Sequence, residues 1–166
     1  MGKERNHMYT AQALFTNYWL ISAASGWFVA QILKIFTGFF KMQEFSLRTL
    51  LFGTGGMPSS HTATVSALCT SMAVTEGLGS PLFAITAVLT IVVMIDATGV
   101  RQETGKQSRA LNQIVEELFS DSPDKLEMHF KELIGHTPLQ VFCGCLTGIG
   151  AALLLTLIPG LGADLI

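Results

Sequence analysis

Four long apolar stretches, each about the length of a bilayer crossing, limit what this chain can fold into more than any other feature. They run over about Tyr18–Phe40, His61–Leu78, Leu82–Val100 and Leu139–Pro159. A hydrocarbon core takes about 20 apolar residues per helical crossing. Inside lipid the backbone must satisfy its own hydrogen bonds, so isolated crossing segments are helices. The composition agrees: 13% of the 166 residues are charged, against about 25% in an ordinary soluble domain. The expected architecture is an all-α membrane protein, a single domain with a bundle of four transmembrane helices. A net charge of −2 gives nucleic acid no electrostatic footing. The polar start, Met1 to Thr10, leads into an apolar stretch too long for a signal core, and no cleavage site ends it.

The connections set the topology. Gly77, Gly79 and Pro81 form a short turn, so the second and third stretches are an antiparallel hairpin. The other two connections, 41–60 and 101–138, are longer and polar. With four crossings they lie on the same side. In the second of them Leu111, Ile114, Val115 and Leu118 recur at helical spacing among polar residues, which predicts an amphipathic helix along the membrane surface. A further short helix is expected to start at Ser122 with Pro123 in its first turn and to stop at Gly135. Gly144 and Gly148, four residues apart, offer a face that another helix can approach closely. Cys69, Cys143 and Cys145 lie in apolar stretches and read as small buried residues.

Two segments carry chemistry. Gly55-Gly56-Met57-Pro58-Ser59-Ser60-His61 leads directly into the second apolar stretch. Helix starts present unpaired N–H groups and a partial positive charge, which suits an anion. Ser59 and Ser60 add hydroxyls, and His61 adds a proton carrier that works near neutral pH. An ordinary serine cap explains the same residues equally well. Gly135-His136-Thr137-Pro138-Leu139-Gln140 opens the fourth stretch. Thr137, Pro138 and Gln140 make a capping box, which leaves His136 unexplained. Both histidines sit at starts of helices entering from the same side, where they can converge on one phosphate. Lys34 lies within the first stretch, with Lys41 seven residues later on nearly the same face. Arg48, Arg101 and Lys106 lie near the same end, and Asp96 is placed to pair with Arg101 or to orient a histidine. Charges inside a crossing usually face a polar interior. No carboxylate–histidine cluster has metal-ligand spacing, so neither a metal nor another cofactor is expected.

Pro58-Ser59-Ser60-His61 resembles the Pro-Ser-Gly-His motif of type 2 phosphatidic acid phosphatases and vanadium haloperoxidases. Gly135-His136-Thr137-Pro138 resembles their later histidine motif. Together with Asp96-Ala97-Thr98-Gly99-Val100-Arg101, Gly105-Lys106-Gln107 and Leu111-Asn112, these segments look like the small, divergent bacterial and plastid branch of that superfamily, over about Trp27 to Gly148. The resemblance implies that His136 is the nucleophile and forms a phosphohistidine. It implies that His61 protonates the leaving oxygen and then activates water, and that Lys34, Ser59, Ser60 and Arg101 bind the phosphoryl oxygens. It also implies a location in a bacterial cytoplasmic membrane, or a plastid membrane in a eukaryote. Two features depart from the family pattern. Arg101 lies far upstream of the second histidine, and Gln140 occupies the place where the family orients that histidine with an acid.

The expected function is metal-independent hydrolysis of a lipid phosphate or pyrophosphate, with membrane lipids as the surroundings. The alternatives are a membrane protein that binds anionic headgroups without turnover, or a small carrier subunit. Lys41, Arg48, Arg101, Lys106, Arg109, Lys125 and Lys131 on the site-bearing side, against Lys3 and Arg5 on the other, place that side in the cytoplasm by the positive-inside rule.

Overall fold

A computed structural model describes residues 13–39, 56–118 and 135–158, and their regular structure is entirely helical. The five main helices are α1 (Tyr18–Phe39), α2 (Ser60–Thr75), α3 (Pro81–Thr98), α4 (Val100–Leu118) and α5 (Pro138–Thr156). Local sequence sets their starts. The Asn17 side chain accepts the Leu20 N–H at 3.0 Å ahead of α1. Ser59, Ser80 and Thr137 cap α2, α3 and α5 through their hydroxyl oxygens. Pro81 and Pro138 occupy first-turn positions, where the missing N–H removes no helical bond. Each cap of this kind contributes about 1 kcal/mol.

Among the described residues three helices are long and apolar enough to cross a bilayer: Tyr18–Gly38, the joined Pro81–Leu118 and Pro138–Thr156. The second predicted crossing, 61–78, is shorter than expected. It ends at Thr75, 16 residues long, and the chain turns through Gly77 at φ 82°. Its composition explains why it is also less apolar: it lies in the middle of the bundle and packs against α1, α3 and α5. Ser60, Thr62, Ser66 and Ser71 are buried on it, so small polar residues take the place of a lipid-facing surface.

Close approach to this central helix is built from small side chains. A Cβ on Gly26 of α1 would lie 2.7 Å from the Ala63 carbonyl oxygen, and one on Gly144 would lie 2.5 Å from that of Ser59. Gly148 abuts Ala63 and Ala67 in the same way. The expectation that Gly144 and Gly148 admit another helix is met, and that helix is α2. Hydroxyls within α1 and α3 contribute as well: Ser22 Oγ donates to the Ala67 carbonyl at 3.2 Å, and Thr90 Oγ1 to that of Val65 at 3.1 Å. In a bilayer, where hydrocarbon gives helices no hydrophobic reason to associate, such packing and hydrogen bonds hold the bundle together.

The amphipathic helix differs from its expected form. Rather than arising within the connection, it begins at Val100, with only Gly99 between it and α3. Leu111, Ile114 and Leu118 are exposed on it, while Gly105 and Asn112 are buried. The three cysteines are free and half-buried rather than fully buried as expected. The expected helix from Ser122 and Pro123, together with Gly55, Lys41, Arg48, Lys125 and Lys131, lies outside the described residues.

Candidate functional site

The C-terminal ends of α1 and α3 and the N-terminal ends of α2 and α5 meet at one end of the bundle. Two backbone bonds fix this meeting. The Ser59 N–H donates to the Gln140 carbonyl at 3.0 Å, tying the start of α2 to the start of α5. The His136 N–H donates to the Ala97 carbonyl at 3.1 Å, tying α5 to the last turn of α3. Gly135 sits against the backbone of Gln102, where a Cβ would lie 2.5 Å from the Gln102 nitrogen. Any larger residue there would push His136 away from α4.

The α2 side of the site separates two roles that looked equivalent in sequence. Ser59 is fully buried. Its Oγ accepts from the Thr62 N–H at 3.4 Å and from Thr62 Oγ1 at 3.1 Å. The serine-cap reading therefore accounts for Ser59. Ser60 points elsewhere: its Oγ accepts from Lys34 Nζ at 3.1 Å. The segment ahead of the cap is held to α1, with Thr37 Oγ1 donating to the Met57 carbonyl. Gly56 packs over the Lys34 side chain at φ 83°, a backbone conformation that favours glycine. Sequence reasoning passed over Thr37. Its signal was position, three residues beyond Lys34 and so on the same helix face. His61, the next residue, is exposed.

The α5 side holds its histidine tightly. His136 is 6% exposed. Its Nδ1 lies 3.1 Å from Gln140 Oε1, and the Thr137 N–H donates to the same oxygen at 3.0 Å. A backbone N–H can only donate, so it fixes which end of the Gln140 amide faces inward. The oxygen is then the acceptor for Nδ1 as well. His136 consequently carries its proton on Nδ1, and Nε2 presents a lone pair. Burial pushes the His136 imidazole below its ordinary range. The Gln140 hydrogen bond opposes that shift, and the charges of Lys34, His61 and Arg101 add to it. The ring is therefore neutral at neutral pH.

Lys34, Arg101 and Asp96 all lie within electrostatic reach of His61. Lys34 and Arg101 also reach His136. Of the two expectations for Asp96, the ion pair is observed: Arg101 Nε lies 2.6 Å from Asp96 Oδ2, with both side chains partly exposed. The ring of His136 is oriented by Gln140 instead. Lys106 pairs with Glu103 at 2.7 Å on the exposed face of α4. The structure thus gathers His61, His136, Lys34, Ser60 and Arg101 at one end of the bundle. A buried cap and a pinned amide support them.

Comparison with known proteins follows the same residues. The family model described as "Divergent PAP2 family" matches residues 15–151. A Bacillus subtilis (strain 168) protein named "Uncharacterized membrane protein YuiD" is 40% identical over 155 residues, covering 87% of this chain and 95% of the relative. No solved structure matches.

Proposed function

The chain belongs to the divergent PAP2 family, and on that premise we propose that it hydrolyses the phosphate ester or pyrophosphate of a membrane lipid through a phosphohistidine. The observation that carries this reading is the contact between His136 Nδ1 and Gln140 Oε1, an oxygen that also accepts the Thr137 N–H: it commits the Nδ1 proton and leaves the Nε2 lone pair for phosphorus, with the charges of Lys34 and Arg101 reaching the ring. In the first step His136 Nε2 attacks phosphorus. A P–N bond forms, the P–O bond to the leaving group breaks, and protonated His61 gives that oxygen its proton. In the second step His61 takes a proton from water. The resulting hydroxide attacks phosphorus, the P–N bond breaks, and inorganic phosphate leaves. Lys34 and Arg101 counter the charge that builds on the phosphoryl oxygens. The N-terminal end of α2 adds its partial positive charge toward the same anion. Ser60, which accepts from Lys34, sets where that ammonium sits.

The topology suits a lipid substrate. Both histidine-bearing helix starts lie at one end of the bundle, and with that end at a membrane face they would stand level with a headgroup whose chains remain in the bilayer. Phosphate release from a panel of lipid phosphates by purified protein in detergent tests the activity. Labelling with a lipid carrying radioactive phosphate, quenched in alkaline detergent to preserve a P–N bond, tests the covalent intermediate. Acid-labile, base-stable label on the wild-type chain is the expected result. Turnover without any such label refutes the phosphohistidine.

One observation favours a second reading, headgroup binding without turnover. Gln140 orients the ring of His136 but brings no negative charge to stabilise an imidazolium. Tight binding of lipid phosphate with neither label nor phosphate release decides for that alternative.

A further inference from the structure

The faces of α2 are unequally used. On one flank α1 is attached through Ser22 at the Ala67 carbonyl and Gly26 against Ala63. At the back α5 is attached through Gly144 at Ser59 and Gly148 at Ala63. On the other flank α3 is attached through Thr90 at the Val65 carbonyl. Although both pack on α2, α1 and α3 do not form a packed pair with each other. A furrow therefore runs along α2 between them. His61, Leu68, Met72 and Thr75, spaced by seven, four and three residues, fall on the single helix face that floors it. His61 is exposed and the other three are half-buried, as the floor of an open furrow should be.

The two ends of the furrow differ chemically. At one end stand His61 and the Lys34 ammonium, which is bonded to Ser60. At the other, Trp19 reaches across from α1, and its Nε1 donates to Thr75 Oγ1 at 2.8 Å. From His61 to Thr75 the floor is about 21 Å long at 1.5 Å per residue. We propose that this furrow is the binding site for one hydrocarbon chain of an anionic lipid phosphate, with the phosphate against His61 and Lys34 and the chain lying over Leu68 and Met72 as far as Trp19. The proposal rests on reading the His61 end as a phosphate site. Continuity with that cationic end selects the occupant: bulk lipid would wet the apolar floor equally with or without a phosphate. The furrow also gives the substrate a way in from the bilayer between α1 and α3, without leaving lipid.

The test uses the full chain in zwitterionic nanodiscs, with a phosphatidic acid probe bearing a diazirine midway along one chain and the matching diacylglycerol probe. After photolysis, adducts are mapped by peptide mass spectrometry. Labelling concentrated at Leu68 and Met72 is expected, about tenfold stronger for the phosphate probe, as one charge-assisted contact allows. Unlabelled phosphatidic acid should compete it away, and diacylglycerol should not. Equal labelling by both probes, or phosphate-probe adducts spread over the outward residues Phe28, Ile91 and Leu146, overturns the proposal. Leu68→Trp, which fills the furrow, should abolish the preferential labelling, and retained labelling at Met72 in that variant also counts against it. Photolysis on ice within seconds of mixing, before turnover can convert the phosphate probe into its diacylglycerol, keeps the labelling independent of hydrolysis, so the two readings fail separately. Phosphate-dependent labelling without phosphate release removes the hydrolysis and leaves the furrow. Hydrolysis with scattered labelling removes the furrow alone.

Discussion

The two histidine-bearing helix starts have similar sequences and different structures. Each runs from glycine through a hydroxyl cap into an apolar helix, and each was readable as a capping motif. At α5 the histidine precedes the cap, is buried, and has its ring held by Gln140. At α2 the histidine follows the cap and is exposed. The displacement around the cap, from one residue before it at His136 to two residues after it at His61, decides this. A residue before the cap is tied back to the neighbouring helix end, here by the His136 backbone N–H to the Ala97 carbonyl of α3. A side chain in the first turn points off the helix surface. The pair thus offers one ring fixed in tautomer and orientation, fit for a nucleophile, and one ring free to exchange protons with leaving group and water.

The sharpest way to break this division is to remove each ring separately. His136→Asn should lower turnover by about 10⁴-fold or more, as loss of a nucleophile does, and should leave no acid-labile label. His61→Asn should cost about 10²–10⁴-fold, the usual contribution of general acid–base catalysis. With an activated ester, whose leaving group needs no proton, it should still accumulate the phosphohistidine. If the label survives in His136→Asn and vanishes in His61→Asn, the roles are reversed. Lys34→Met should follow, with about 10²-fold lower turnover from one lost charge on the phosphoryl oxygens. A matching loss with Lys34→Arg would show that position matters as well as charge.

How much of this contrast was legible in the sequence depends on how local its cause is. The caps at Ser59 and Thr137 and the hairpin at Gly77–Pro81 are set within a few residues, and they were readable. So was the packing face of Gly144 and Gly148. The fate of Ser59 was not. Whether a hydroxyl caps its own helix or faces a ligand depends on Gly144 crowding it from α5, a contact 85 residues away in sequence. The limit on α2 was missed for a related reason. Apolar periodicity measures what a helix shows to lipid, and α2 shows lipid one narrow face. The continuation of α3 into α4 escaped because the apolar stretch ends at Val100 and polar residues follow, whereas the Glu103 N–H bonds back to the Gly99 carbonyl at 3.0 Å and the helix resumes.

A smaller effect sharpens the comparison at the buried ring. Because burial lowers the protonation range of His136, the acidic limb of kcat/KM should lie below the ordinary imidazole value of about 6.5. The same shift makes a contribution to stability that is fully present above that value and is lost as pH falls through the lower folded one. Gln140→Glu keeps the acceptor for Nδ1 and for the Thr137 N–H, since either residue completes a capping box. It adds a negative charge beside the ring, which should move the acidic limb to higher pH. Turnover should rise more than the Michaelis constant changes, because the imidazolium develops during the chemical step. Running both proteins on one lipid phosphate cancels the titration of the substrate itself. An unmoved limb and unchanged turnover would mean that Gln140 acts only as a cap.

The smallest effect is expected from Asp96→Asn. The Arg101–Asp96 pair is short at 2.6 Å, but its side chains are 46% and 38% exposed. Solvent screens such a pair, and its contribution to stability is about 0–1 kcal/mol. Asparagine can still accept from Arg101 Nε, so the guanidinium keeps its place and loses only a neutralising charge. Two consequences follow, with opposite signs. The fold should lose little, and thermal unfolding should shift only slightly. The phosphate should meet a fuller positive charge at Arg101 and bind up to about fivefold tighter, which corresponds to 1 kcal/mol. If Asp96 instead oriented a catalytic ring, the substitution would reduce turnover by orders of magnitude and leave binding unchanged. Substrate affinity and turnover, measured on the same preparation, therefore decide between an arginine tether and a catalytic carboxylate. A large loss of turnover in Asp96→Asn would transfer to His61 the tight control assigned here to His136 alone, since Asp96 lies within reach of the exposed ring.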